Sequence, residues 1–149
     1  MSVREQNLTA AHAEVKAEIA RTDNKTALLL AFVGAVLAGA WTVAKDVPLN
    51  TTSLVVGGAG MALLVAAAGL LLRSVRPNLR GRHGFPLWAT LTAEEITTHL
   101  SEDRLSTDIA GLSRLAVAKF TCLRRAVDLT CVGGALLIVA ALIVAGGAV

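Results

Sequence analysis

The chain has 149 residues, of which 54% are hydrophobic, 17% charged and 3% aromatic, and its mean hydropathy is +0.64. That hydropathy is too high for a water-soluble domain, and the charges are too many for a chain lying wholly in lipid, so polar and apolar residues must be segregated along the sequence. A globular soluble enzyme is excluded on those grounds, and the formal charge of +3 with a pI of about 9.3 speaks first of membrane topology.

Residues 1–25 are polar and helical in pattern, with Leu8, Ala11, Val15, Ile19 and Thr22 spaced as one narrow apolar stripe. Ser2 with Glu5 fits a capping box, and Glu18 precedes Arg21 by one turn. We expect a cytosolic amphipathic helix here. Residues 26–44, TALLLAFVGAVLAGAWTVA, carry no charge over 19 positions and match a hydrocarbon core of roughly 30 Å. They read as transmembrane helix 1. A cleaved signal peptide is the competing reading because of Ala38-Gly39-Ala40, but the preceding region is long and balanced in charge rather than short and basic.

An external turn, 45–52, contains Pro48 and Asn50 and leads into transmembrane helix 2 over 53–72, SLVVGGAGMALLVAAAGLLL. Gly57, Gly58 and Gly60 lack the Lys-Ser/Thr of a phosphate loop and lie inside the span, so they read as positions of close helix packing. After a polar segment, 73–128, the uncharged residues 129–149 form transmembrane helix 3. Thirteen of the fourteen basic residues fall before the first span or between the second and third, with Lys45 alone in the turn. The positive-inside rule then sets the N-terminus in the cytoplasm and the C-terminus outside.

The fold expected is all-α: three transmembrane helices with a small helical cytosolic module, the first and third spans extended into the cytosol. The module's 73–128 segment opens on Arg73, Arg76, Arg80, Arg82 and His83 among turn residues, a stretch that suits a positive-inside flank on anionic lipid or, in part, a ligand phosphate. Phe85 to Ala89 form a short apolar patch, expected to be extended or to rest against the bilayer interface or neighbouring helices. Thr92 with Glu95 is a capping box opening a short helix through Leu100, and Ser101 with Glu102 and Asp103 reads as the start of the next. In that helix Leu105, Ile109, Leu112, Ala116, Phe120, Leu123 and Val127 make the apolar stripe, while Asp108, Arg114, Lys119, Arg124, Arg125 and Asp128 are expected off it. Gly111 alone is tolerated, so helix is expected from about Ser106 through the third span.

No catalytic chemistry is legible. His12, His83 and His99 stand singly, without metal-ligand spacing, and no serine or cysteine has a base placed beside it by a motif. Cys122 and Cys131 lie nine apart on one expected helix, too far to bridge. We therefore expect no enzyme activity, no catalytic residues, no metal and no resident cofactor. Asp128 is expected to form an interfacial ion pair one turn after Arg124 rather than a proton relay.

The order of parts resembles a family of small bacterial membrane effectors in anti-phage cyclic-nucleotide signalling, the Pycsar transmembrane effectors. The carriers are Ile19 to Leu30 with Asp23, Lys25 and Thr26-Ala27 at the helix-to-membrane junction, Arg76-Pro77 after the second span, and Asp108 through Leu129 with Lys119 and Ala126. Phe85 to Leu100 also looks similar. The resemblance implies that a partner cyclase makes a cyclic pyrimidine mononucleotide, most plausibly cyclic UMP, and that this ligand binds the cytosolic part. Subunits then associate as a homo-oligomer in the bacterial inner membrane and impair it, an abortive infection that stops phage; no DNA or RNA partner is implied. There is no cyclic-nucleotide-binding barrel, so any site is built from helices. Lys25, Arg76, Arg80, Arg82 and Lys119 are the candidate cations for its phosphate, and Asp23 or Asn24 the candidate readers of base or ribose. Two other readings stay open at this point: a non-toxic membrane-anchored scaffold for a cytosolic partner, and a constitutive holin-like pore.

Overall fold

In the computed structural model, which describes residues 3–46, 50–76, 85–101 and 105–146, the chain is all-α. Five helices follow in order: α1 (Val3–Asp46), α2 (Thr51–Val75), α3 (Phe85–Trp88), α4 (Ala93–Ser101) and α5 (Leu105–Gly146). Helices α1, α2 and α5 are long and apolar enough to cross a membrane. Among them α1 and α5, of 44 and 42 residues, each run unbroken from a polar segment into an apolar one, as expected where no proline interrupts the pattern.

The chain divides into two compact units, one of Asp23–Val75 with Thr121–Val149 and the other of Met1–Thr22 with Arg76–Phe120. The first holds the apolar spans. Its buried positions on α1 are Thr26 and Val33, on α2 Ser53, Gly60, Leu64, Ala67 and Leu71, and on α5 Ala126, Thr130, Gly133 and Ala140. These recur in steps of three, four and seven, the seam of helices that wrap with a period near 3.5. Val33, Leu64 and Leu71 are the large apolar side chains among them, but many others point the other way: Leu28, Phe32, Trp41, Val65, Ile138 and Leu142 are all more than half exposed. Such inversion is the economical arrangement in lipid. Acyl chains solvate leucine as well as a core does, so helices associate through small residues that allow close van der Waals approach.

Helices α2 and α5 approach closely at Gly60 and Gly133. A Cβ on Gly60 would stand 2.8 Å from the Gly133 carbonyl oxygen, and one on Gly133 would stand 2.9 Å from the Gly60 carbonyl oxygen. Gly57 faces Ala140 and Gly133 faces Leu63 and Leu64, so numbers rise along α2 as they fall along α5 and the two helices are antiparallel. Two buried hydroxyls are satisfied within their own helices: Thr130 on α5 donates to the Ala126 carbonyl at 2.8 Å, and Thr22 on α1 to the Glu18 carbonyl at 2.8 Å. Asn50 caps α2, its side-chain oxygen accepting the Ser53 N–H at 2.7 Å and its carbonyl accepting the Leu54 N–H at 3.0 Å. Helix therefore begins at Thr51, ahead of the uncharged run.

The second unit contains the polar segments. Leu8, Ala11, Val15, Ile19 and Thr22 are each less exposed than the flanking residues Thr9, Ala13, Lys16 and Arg21, which confirms the stripe on α1. Glu18 and Arg21 form an ion pair at 3.2 Å. The Thr92–Glu95 capping box is reciprocal, with the Thr92 N–H donating to the Glu95 carboxylate at 2.8 Å and the Glu95 N–H to the Thr92 hydroxyl at 3.3 Å. Two expectations change. The apolar patch is a helical turn, α3, closed by Thr90 N–H to Leu87 carbonyl at 2.9 Å and Leu91 N–H to Trp88 carbonyl at 3.2 Å, because proline at its second position suits a first helical turn. Ser101 belongs to α4 rather than opening the next helix, whose described residues run from Leu105. The Ser2 half of the N-terminal capping box, with Glu102 and Asp103, lies outside the described residues.

Candidate functional site

The residues expected to meet a nucleotide divide between the two units. Asp23, Asn24 and Lys25 lie on α1 at the polar end of the span-bearing unit, with Asp23 half-buried and the other two exposed. Arg76 is exposed at the bend that follows α2, and Lys119 is half-buried on α5, both in the second unit. Arg80 and Arg82 lie outside the described residues.

Lys119 corrects the sequence reading. The helical stripe was expected to run from Ala116 through Phe120, with Lys119 off it. Instead Lys119 lies half-buried between Ala116 and Leu123, while Phe120 and Val127 are 37% and 40% exposed. Lys119 thus keeps the same three- and four-residue spacing as Ala116, Leu123, Ala126, Thr130 and Gly133. The four-carbon stem of lysine can cover apolar surface while its ammonium stays polar, so its place on a packed face is chemically sound. Asp108, also expected off the stripe, is half-buried as well.

The polar ends of the spans carry exposed cations: Lys25 immediately before the α1 span, Arg73 immediately after the α2 span, and Arg124 and Arg125 on the last turn before the α5 span. Exposed guanidinium and ammonium groups at this level suit phosphate oxyanions, guanidinium by paired hydrogen bonds and ammonium as a point charge. The expected Asp128 ion pair does not form: Asp128 is exposed, and no ion pair joins it to Arg124 or Arg125 among the described residues. Exposed charges gain little by pairing once side-chain entropy is counted. Among the described residues no three His, Cys, Asp or Glu side chains gather as metal ligands do, and Cys122 and Cys131 are free thiols.

Outside the spans one titrating group among the described residues is clearly shifted. The Thr92 N–H, and after it the Thr92 hydroxyl, hold the exposed Glu95 carboxyl below its ordinary range. This is a helix cap and not an acid–base centre.

No curated protein and no solved structure matches the chain. A protein-family model does: PycTM, the Pycsar effector protein domain, matches residues 7–146. That range takes in all three membrane-crossing helices together with the polar module between the second and third. An all-α membrane protein with this order of helices, matched over nearly its full length, belongs to the Pycsar effector family and has an effector role in anti-phage defence.

Proposed function

We propose that the protein is a nucleotide-gated membrane effector. A cyclic pyrimidine mononucleotide made by a partner cyclase, cyclic UMP in the first place, binds the cytoplasmic helical part, and subunits then associate and impair the bacterial inner membrane. The infected cell stops growing before phage matures. The observation that carries this reading is the family match over residues 7–146, joined to two helices that run without a break from polar to apolar sequence. Such helices give a ligand bound among polar residues a continuous helical connection to the bilayer, and a ligand shifts such an assembly by its differential affinity for the two states.

In this reading Lys25, Arg76, Arg80, Arg82 and Lys119 supply charge to the cyclic phosphate, and Asp23 or Asn24 reads base or ribose. The N-terminus is cytoplasmic and the C-terminus external, following the distribution of basic residues. The test is binding of labelled cyclic UMP to the detergent-solubilised protein, with cyclic CMP, AMP and GMP as competitors, alongside growth of cells expressing the effector with and without the cyclase. Selective binding and cyclase-dependent arrest are expected. Arg76→Ala and Lys119→Ala are expected to lose ligand while inserting normally; unchanged affinity removes both from the site, and no binding by any of the four nucleotides overturns the reading.

A further inference from the structure

The apolar stretch of α1 has little support within the chain: 6% of it is buried, against 22% in α2 and 17% in α5. Besides the outward face that carries Leu28, Phe32 and Val43, α1 has a second exposed face of a different kind. It consists of Asn24, Ala27, Ala31, Gly34 and Ala38, spaced by three and four, and Trp41 and Lys45 continue that spacing to the outer border. Ala27, Ala31, Gly34 and Ala38 each follow by one residue the inward positions Thr26, Leu30, Val33 and Leu37, so this face is turned about 100° from the packed side.

Helix α2 carries a matching face of Ala59, Ala62, Ala66, Gly69 and Arg73, all exposed. The last four each follow by two residues a buried residue, Gly60, Leu64, Ala67 or Leu71, and so lie about 200° round the helix from the side packed on α5. Nothing within the chain calls for glycine on either face, since a Cβ on Gly34 or on Gly69 would meet nothing within 4 Å. Steps of three and four suit helices that wrap around one another, and small residues are what allow close approach in lipid.

Charge decides what covers these faces. Copies of one chain insert in the same sense, and the consecutive spans α1 and α2 cross in opposite senses. Pairing α2 with α2 of a second copy sets Arg73 against Arg73, and pairing α1 with α1 sets Lys45 against Lys45 and Asp23 against Asp23. Pairing α1 of one copy with α2 of the next instead sets Arg73 beside Asn24 and Asp23 at the polar border, and Lys45 beside Thr52 at the outer one. Such charges select a partner more than they tighten its binding, and here both like pairings are penalised while the mixed one is not.

We propose that α1 of one copy packs along α2 of the next, with Ala31 and Gly34 against Ala66 and Gly69. Ala31 lies six residues in from Lys25 and Ala66 seven in from Arg73, which brings them to one level. The interface rests on the association of subunits in the proposed function and names the surfaces that make it. Each copy offers both faces, so the contact is head-to-tail and propagates from subunit to subunit, closing into a ring or extending as a chain.

The test is disulfide formation between full-length chains in native membranes, in a background of Cys122→Ala and Cys131→Ala. Ala31→Cys and Ala66→Cys are placed in separate chains with different tags, co-expressed and oxidised with and without cyclic UMP. The mixed disulfide is expected to exceed either homodimer several-fold, and Gly39→Cys, on the face of Phe32, is expected to give none with Ala66→Cys. Gly34→Leu and Gly69→Leu fill space that is open within the chain and are expected to lower the mixed yield several-fold, with helix content by circular dichroism unchanged; Gly39→Leu is expected to leave it as it was. Unchanged yields in both of the first two overturn the interface. Blue native electrophoresis of the same chains separates two failures. Subunits that associate without a dominant mixed disulfide overturn this interface and leave association standing, whereas monomers with and without cyclic UMP, and no mixed disulfide, overturn both.

Discussion

Adding one methyl group at Gly60 tests the packing on which the membrane unit rests. In Gly60→Ala the new Cβ would sit 2.8 Å from the Gly133 carbonyl oxygen and 3.2 Å from both Leu136 Cβ and Leu137 Cγ. The backbone oxygen cannot swing aside as a side chain can. To restore an ordinary 3.4 Å contact the helices must part by about 0.6 Å at the crossing, which loosens the approach of Ala140 to Gly57 and the packing of Leu64 on Gly133. Overpacking of this kind costs about 1–3 kcal/mol, and the gain in helix propensity from glycine to alanine offsets up to about 1 kcal/mol of it. A net loss of about 1–2 kcal/mol is expected. Gly58→Ala is the internal control, since its Cβ would meet nothing within 4 Å and only the propensity gain remains. Thermal unfolding of the detergent-solubilised proteins, followed by circular dichroism, should place Gly60→Ala several degrees below the wild type and Gly58→Ala at or above it. If Gly60→Ala melts at or above Gly58→Ala, the close α2–α5 crossing is refuted.

Other perturbations address the buried seam and the polar module. Leu64 is fully buried and Val65, beside it, is 59% exposed, so Leu64→Ala should cost about 2 kcal/mol through the cavity it leaves and Val65→Ala close to nothing; comparable melting points would contradict the inside-out arrangement. The Ser74 hydroxyl oxygen is buried without a hydrogen-bond partner among the described residues, so Ser74→Ala should be neutral or stabilising by up to about 1 kcal/mol, and a clear loss on thermal unfolding would show that the hydroxyl is in fact satisfied. The Glu95 cap makes α4 sensitive to acid. Its folded pKa is lowered, so its contribution is fully present above the unfolded carboxylate pKa and is lost as pH falls through the folded value. Backbone carbon shifts of Ala93–Ser101 should move toward coil over that acid range in the wild type and show no such titration in Glu95→Gln; identical titrations in the two would rule out the cap as the cause.

Much of the architecture follows from properties that a sequence carries residue by residue. Uncharged runs bounded by charges mark the three membrane-crossing helices, because leaving a backbone unpaired or a charge unsolvated in lipid is costly wherever the segment packs. The Thr92–Glu95 box and the Glu18–Arg21 pair were legible too, since both partners lie within one turn and need no tertiary neighbour. The capping role of Asn50 is equally local and could have been read from its position before Thr51. What tertiary structure alone decided is which face turns inward. In water, apolar character marks the buried side, but in lipid Phe32 and Leu142 are as well solvated outside as inside, so the small residues Thr26, Ser53, Gly60, Gly133 and Thr130 share the interior with Val33, Leu64 and Leu71. The same loss of signal near the bilayer misplaced Lys119 and Phe120 on α5. The antiparallel register of α2 on α5 was likewise beyond sequence, because the two helices are separated by the whole polar module and meet at a crossing of two glycines.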